Sequence, residues 1–297
     1  MARSRPYGAH DRLTAPLRPR AQIWRFLLGL GLIGAVTFAL NRGLLTLLLA
    51  LDEPFWSAAL IGGPGNAPLP LLVMLGSFGF VTIGVWIALR LVHGYRLPGI
   101  LGPLPPALRQ FRAVIMAMLL LGAAIAVLPP YQTQELAQNL PPGRWLALLP
   151  FSLLVVLVQA SAEEILFRGY MQQMLAARFA SPLIWMAVPT VLFALGHYQP
   201  AVAGGNAWPI VLWAGIFGLL MADLTARAGT LGPAIAVHFV NNATALLLVS
   251  LPDSMNGLAL YVVPYGMADA EFLRQGLVGD FAVVVLTWLA ARVAIRR

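Results

Sequence analysis

Eight apolar runs, each near the length that crosses a bilayer, constrain this chain before any motif is read. They cover about 23–48, 69–92, 111–129, 146–170, 182–199, 208–226, 231–251 and 280–295. A hydrocarbon core takes about 20 consecutive apolar residues in helical form, and a helix satisfies its own backbone polar groups where no water reaches. Breaker-rich connections separate the runs: Pro54 to Pro70, Leu97 to Pro106 with its four prolines, and Pro252 to Gly279. Composition agrees, with 60% hydrophobic and 10% charged residues, where a soluble domain carries about 25% charged. The predicted fold is all-α: a polytopic membrane protein with about eight transmembrane helices in one bundle, without repeats or a separate soluble domain.

All 19 basic residues are arginine, and the net charge is +8. The arginines form no single patch, so nucleic acid is not the expected partner; they recur in clusters between apolar runs, the pattern of a positive cytoplasmic face. One side would hold the six arginines up to Arg25, then Arg90, Arg96, Arg109, Arg112, Arg178, Arg227, Arg292, Arg296 and Arg297. The other would hold Arg144 and Arg274 with Asp52, Glu53, Glu135, Asp253, Asp269, Glu271 and Asp280. This partition puts both termini on the cytoplasmic side. Residues 1–22 read as a solvated, Arg-rich cytoplasmic arm and 23–297 as the helical membrane domain. Arg42 departs from the partition, and is expected to snorkel or to mark an early end to the first helix. Cysteine is absent, which removes disulfides, a thiolate nucleophile and cysteine metal sites.

Ionisable groups inside these runs cost roughly 2.5–3.5 kcal/mol each at a helix centre. Three polar elements carry that cost. The first is Glu163-Glu164-Ile165-Leu166-Phe167-Arg168. Glu164 and Arg168 stand at i,i+4 and share a helix face in the acid-first order that suits the helix dipole. Glu163 points elsewhere and has no assigned partner, which suits a carboxylate to general-base work. The second is Phe193-Ala194-Leu195-Gly196-His197, and the third is His238-Phe239-Val240-Asn241-Asn242, with His238 and Asn242 again at i,i+4. Together they offer a carboxylate, two imidazoles and an amide, enough to activate water and to stabilise an oxyanion. Each element alone has a structural reading: an ion pair within a helix, an interfacial histidine, interhelical glue. Asp223 and Arg227, at i,i+4 near a cytoplasmic end, read as structural.

The ordered trio resembles the CPBP family. That family joins type II CAAX prenyl endopeptidases with bacterial bacteriocin-processing and self-immunity (Abi-like) membrane proteins. Its pattern is Glu-Glu-x-x-x-Arg, Phe-x-x-x-His and His-x-x-x-Asn/Asp, and no motif residue departs from it here. The resemblance covers about 150–251, the expected catalytic core. It implies hydrolysis of a peptide bond in a membrane-embedded or prenylated peptide, within the bilayer of a bacterial inner (plasma) membrane. By that analogy Glu163 and His197 position and deprotonate water, His238 and Asn242 donate to the oxyanion, and Glu164, Arg168 and Phe193 hold the site. A second family-level reading makes Glu163, His197 and His238 ligands of zinc, a donor set that suits the metal with an open water position. The asparagine beside His238 favours the metal-free glutamate mechanism.

Other intramembrane chemistries fit less well. His-Glu-x-x-His is absent, Asp223 is the only membrane aspartate in reach of an aspartyl pair, and neither Ser77 nor Ser161 sits in a Gly-x-Ser-x-Gly elbow. Two other classes of function compete. A non-catalytic scaffold or self-immunity protein of the same fold has no need of the His238–Asn242 pair. A proton-coupled transporter would use the buried Glu and His as a relay, and is expected to show two similar halves, which the chain lacks.

Overall fold

The computed structural model describes residues 7–127 and 135–296. Arg3, Arg5, Arg297 and the end of the 111–129 run lie outside the described residues. A short helix α1 (His10–Thr14) precedes α2 (Ile23–Leu51), α3 (Pro68–His93), α4 (Leu104–Ala126) and α5 (Pro142–Arg178). Then follow α6 (Pro182–Leu195), α7 (Pro200–Ala228), α8 (Gly232–Leu248) and α9 (Ala270–Ala294).

Among the described residues, six helices (α2, α3, α4, α5, α7 and α9) are long and apolar enough to cross a membrane by length and composition, while α6 and α8 are apolar but shorter. At 14 residues, α6 rises only about 21 Å. His238 lies on the short α8, and His197 in the turn just past the end of α6.

The burial pattern is that of a chain solvated by lipid. Large apolar side chains such as Leu51, Leu91, Leu183 and Val293 face outward, while Glu164, Arg168, Gln172, Gln173 and His238 are buried. α2 packs on α3, α3 on α5, and α6 on α7; α8 lies against α4, α5 and α7, and α9 closes the bundle against α4 and α7. Gly232 opens α8 at a point where any Cβ would run into the carbonyl of Ala107 on α4, so only glycine allows that approach.

α5 outruns its predicted 146–170. After Glu164 the backbone changes to wider, π-helical winding over Ile165–Met171 and returns to α-helix at Gln172–Arg178. The two glutamines beyond residue 170 are buried and bonded through their amide nitrogens: Gln172 Nε2 donates to the Ala222 carbonyl at 3.1 Å and Gln173 Nε2 to that of Ile100 at 2.7 Å. Arg42 does not end α2, which runs unbroken to Leu51 with Arg42 exposed on its surface.

The N-terminal segment corrects the expectation of a solvated arm. His10, Leu13, Thr14, Leu17 and Ala21 are all buried. The arm holds enough apolar surface to dock against α5 and α7. Tyr7 donates to Asp223 Oδ1 at 3.0 Å, and the His10 ring lies 4.8 Å from that of Trp185. Burial pushes the His10 imidazole down to about 4, against a smaller opposing pull from Asp11. Burial, then the charge of Asp223, raises the Tyr7 phenol.

One two-residue strand before α5 and two after α8 form a small sheet in the order β1 (Ala137–Gln138), β3 (Tyr261–Val262), β2 (Val249–Ser250). β1 pairs antiparallel and β2 parallel to β3.

Candidate active site

Glu164 is fully buried on α5, and its Oε1 is the junction of the site. It accepts from Arg168 Nη1 at 2.9 Å, one helical turn on, and from His238 Nδ1 of α8 at 2.8 Å. Arg168 is itself 1% exposed. Its Nη2 donates to the Gly218 carbonyl of α7 at 3.0 Å, and its guanidinium carbon lies 4.7 Å from the centre of the Phe193 ring. Desolvating an ion pair costs less the more of its donors and acceptors are met; Glu164 Oε2 is buried without a hydrogen-bond partner among the described residues. Here one arginine meets a carboxylate, a carbonyl and an aromatic face.

A carboxylate oxygen accepts, so the contact with Glu164 assigns a proton to Nδ1 of His238. The ring is oriented edge-on by Phe217 and Phe193, with centroids 5.1 and 6.1 Å away. Its other nitrogen, Nε2, faces Glu163 Oε2 at 3.5 Å.

Glu163 therefore has partners, where the spacing assigned it none. Its Oε1 accepts from Gln159 Nε2 at 2.7 Å, and its side chain keeps 17% of its surface exposed while Glu164 has none. The two adjacent acids differ accordingly: one is sealed in, and the other borders open space. Gln159 Oε1 in turn accepts from Asn242 Nδ2 at 2.8 Å, and Asn242 Oδ1 accepts from Asn241 Nδ2 at 3.1 Å. A continuous polar chain thus runs from Asn241 through Asn242, Gln159, Glu163, His238, Glu164 and Arg168 to the Gly218 carbonyl.

His197 joins this chain through packing. Its Nδ1 donates to the Phe193 carbonyl at 2.9 Å, which leaves Nε2 with a free lone pair. Its ring lies 4.7 Å from the Phe193 ring, which also packs on His238 and Arg168. Among the described residues, His197 has no hydrogen bond to Glu163 or His238. Among those residues too, no group of three or more His, Asp or Glu side chains is gathered to hold a metal ion.

The structure brings together Glu163, Glu164, Arg168, Phe193, His238 and Asn242. Sequence reasoning missed Gln159 and Gly218. Gln159 had a signal, being a polar residue four positions before Glu163 in an apolar run. Gly218 had none, since its carbonyl is what Arg168 uses.

Comparison with known proteins covers this same core. Residues 144–244 match the family model "Type II CAAX prenyl endopeptidase Rce1-like", which spans all three motifs. The uncharacterized protein YyaK of Bacillus subtilis (strain 168) is 25% identical over 189 residues, 60% of this chain and 60% of YyaK. The similarity thus spans less than two thirds of that relative's length. No solved structure matches.

Proposed function

We propose, for a chain whose core belongs with the type II CAAX prenyl endopeptidase Rce1-like proteins, that it is an intramembrane endopeptidase using a glutamate-activated water. The observation that carries this reading is Glu163. It is held at one oxygen by Gln159, it faces His238 with the other, and it remains partly open while its neighbour Glu164 is sealed.

In the proposed reaction, Glu163 takes a proton from a water that His197 Nε2 helps to position. The water oxygen attacks the scissile carbonyl carbon, and the carbonyl electron pair becomes an oxyanion. His238, protonated at Nε2 as well as at the Nδ1 held by Glu164, and an Nδ2–H of Asn242 donate to that oxyanion. Collapse breaks the C–N bond, and Glu163 returns its proton to the leaving amine. Glu164 and Arg168 take no part in proton transfer; they orient His238 from behind. The substrate class we propose is a membrane-proximal peptide, of CAAX prenylated type where the host supplies one. The chain would lie in a bacterial inner membrane with both termini cytoplasmic, so that of reporter fusions at residues 60, 100, 140 and 265 only the one at 100 reports cytoplasm. A cytoplasmic signal at 140 would break that arrangement.

The test is Glu163→Gln. The amide keeps the shape but takes no proton, so cleavage should fall by about 10²–10⁴-fold while folding and insertion are retained. Membrane peptides compared between cells carrying the native chain and the variant identify the substrate. Near-full activity in the variant refutes the assignment. Stoichiometric zinc in the purified protein, with activity lost on chelation and restored by zinc, would instead make Glu163 a ligand.

A further inference from the structure

We infer that Gln159 is a positioning residue, one that lets the proposed base dictate which way the proposed oxyanion donor points. The inference rests on the glutamate-dependent reading above, and deepens it by a residue outside all three motifs.

The argument is one of donor and acceptor polarity. A primary amide has two ends, NH₂ and C=O, and can sit either way round unless its neighbours decide. An ionised carboxylate only accepts. Glu163 therefore draws the NH₂ end of Gln159 toward itself, and that bond is 2.7 Å. The carbonyl end of Gln159 is then turned toward α8, where only a donor can meet it. Asn242 meets it with Nδ2 at 2.8 Å. The oxygen of Asn242 is turned away, onto Nδ2 of Asn241 at 3.1 Å.

Orientation thus passes from the base on α5 to the amide on α8 through one side chain. An NH₂ group carries two hydrogens. One of Asn242's is spent on Gln159, and the other remains for a developing oxyanion. Turned the other way, Asn242 would offer an oxygen and repel the charge it is meant to hold. Gln159 is 6% exposed on an apolar helix, a setting that penalises an amide unless both ends are met. Both are.

Gln159 could equally act as glue between α5 and α8, and the experiment must separate the two roles. Native chain, Gln159→Met, Asn242→Ala, the double variant and Glu163→Gln are reconstituted in phospholipid nanodiscs. The probe is a quenched fluorogenic peptide ending in farnesyl-cysteine and three further residues. Gln159→Met should lower kcat by roughly 10–100-fold with KM changed less than about twofold, the signature of an interaction made in the transition state. In the Asn242→Ala background the same substitution should add less than about twofold, since the donor it orients is gone. Effects that multiply, or an unchanged kcat, overturn the positioning role. If Glu163→Gln stays active, it is the glutamate reading that fails. A readout independent of cleavage is hydrogen exchange at the Asn242 side-chain amide, followed by NMR on ¹⁵N-asparagine-labelled protein. That amide should be protected in the native chain and exchange faster in Gln159→Met; equal exchange rates overturn the proposal whether or not the probe is cut.

Discussion

Glu164–Arg168 on α5 and Asp223–Arg227 on α7 are alike in spacing: acid first, arginine four residues later, both in apolar helices. Both pairs form, at 2.9 and 2.8 Å. Their surroundings separate them. The first pair is 0% and 1% exposed, and shares its carboxylate with His238 and its guanidinium with a carbonyl and the Phe193 face. The second keeps 10% and 22% of its side-chain surface, and its aspartate also accepts from Tyr7 of the arm and from Trp288 Nε1 at 3.0 Å. One pair supports a histidine in the site; the other clasps the N-terminal arm and α9 to the bundle. Spacing says that two side chains share a face, and what lies opposite that face decides their use.

The largest effect expected from breaking this comparison is that of Arg168→Ala. It takes the guanidinium from a fully buried Glu164 carboxylate, which is left with its His238 Nδ1 contact, at a cost of roughly 3–5 kcal/mol. The measurable outcome is low membrane yield or a clear drop in melting temperature in detergent. A well-expressed, equally stable and wholly inactive variant would move Arg168 into the chemical step.

Acid is expected to act on the other region. His10 is neutral and buried in the docked arm, with its folded value near 4 against an ordinary 6.5. Above about 6.5 both docked and free arms hold a neutral imidazole, so docking keeps its full strength. As pH falls from 6.5 toward 4, the free arm takes up a proton that the docked arm refuses, and docking weakens by up to about 3 kcal/mol. Proteolysis within residues 7–21 should therefore accelerate over that window. His10→Phe should flatten the response, and an unchanged response would break the link.

The smallest effect belongs to Arg227→Ala. Asp223 keeps Tyr7 and Trp288 as donors, and a partly exposed pair contributes about 1 kcal/mol or less. A melting-temperature loss equal to that of Arg168→Ala would mean that the two pairs are not distinct.

Much of the site was legible along the chain because its motifs are local. Glu164 and Arg168 meet through helical spacing alone, and His238 and Asn242 lie on one face of α8 by the same rule. The long-range partners were not legible. Gln159 and Asn242 are 83 positions apart, Arg168 and the Gly218 carbonyl 50, and Tyr7 and Asp223 216. Backbone carbonyls also leave no mark on a sequence, so Gly218 carried no sign of its role. The arm misled through its charge: its arginines suggested solvent, while His10, Leu13 and Leu17 supply the buried face.

By itself the sequence determined that this is a helical membrane protein and that three ordered polar elements interrupt its apolar runs. Both follow from short-range physics, the cost of polar groups in hydrocarbon and the 3.6-residue period of a helix. Tertiary structure alone decided which of two adjacent glutamates is sealed and which stays open. It also decided which nitrogen of His238 is spent on Glu164, and that Gln159 links the two helices. Those outcomes depend on how α5, α7 and α8 approach one another, and that approach is set by the shapes packed between them, including a glycine against a backbone carbonyl at the start of α8.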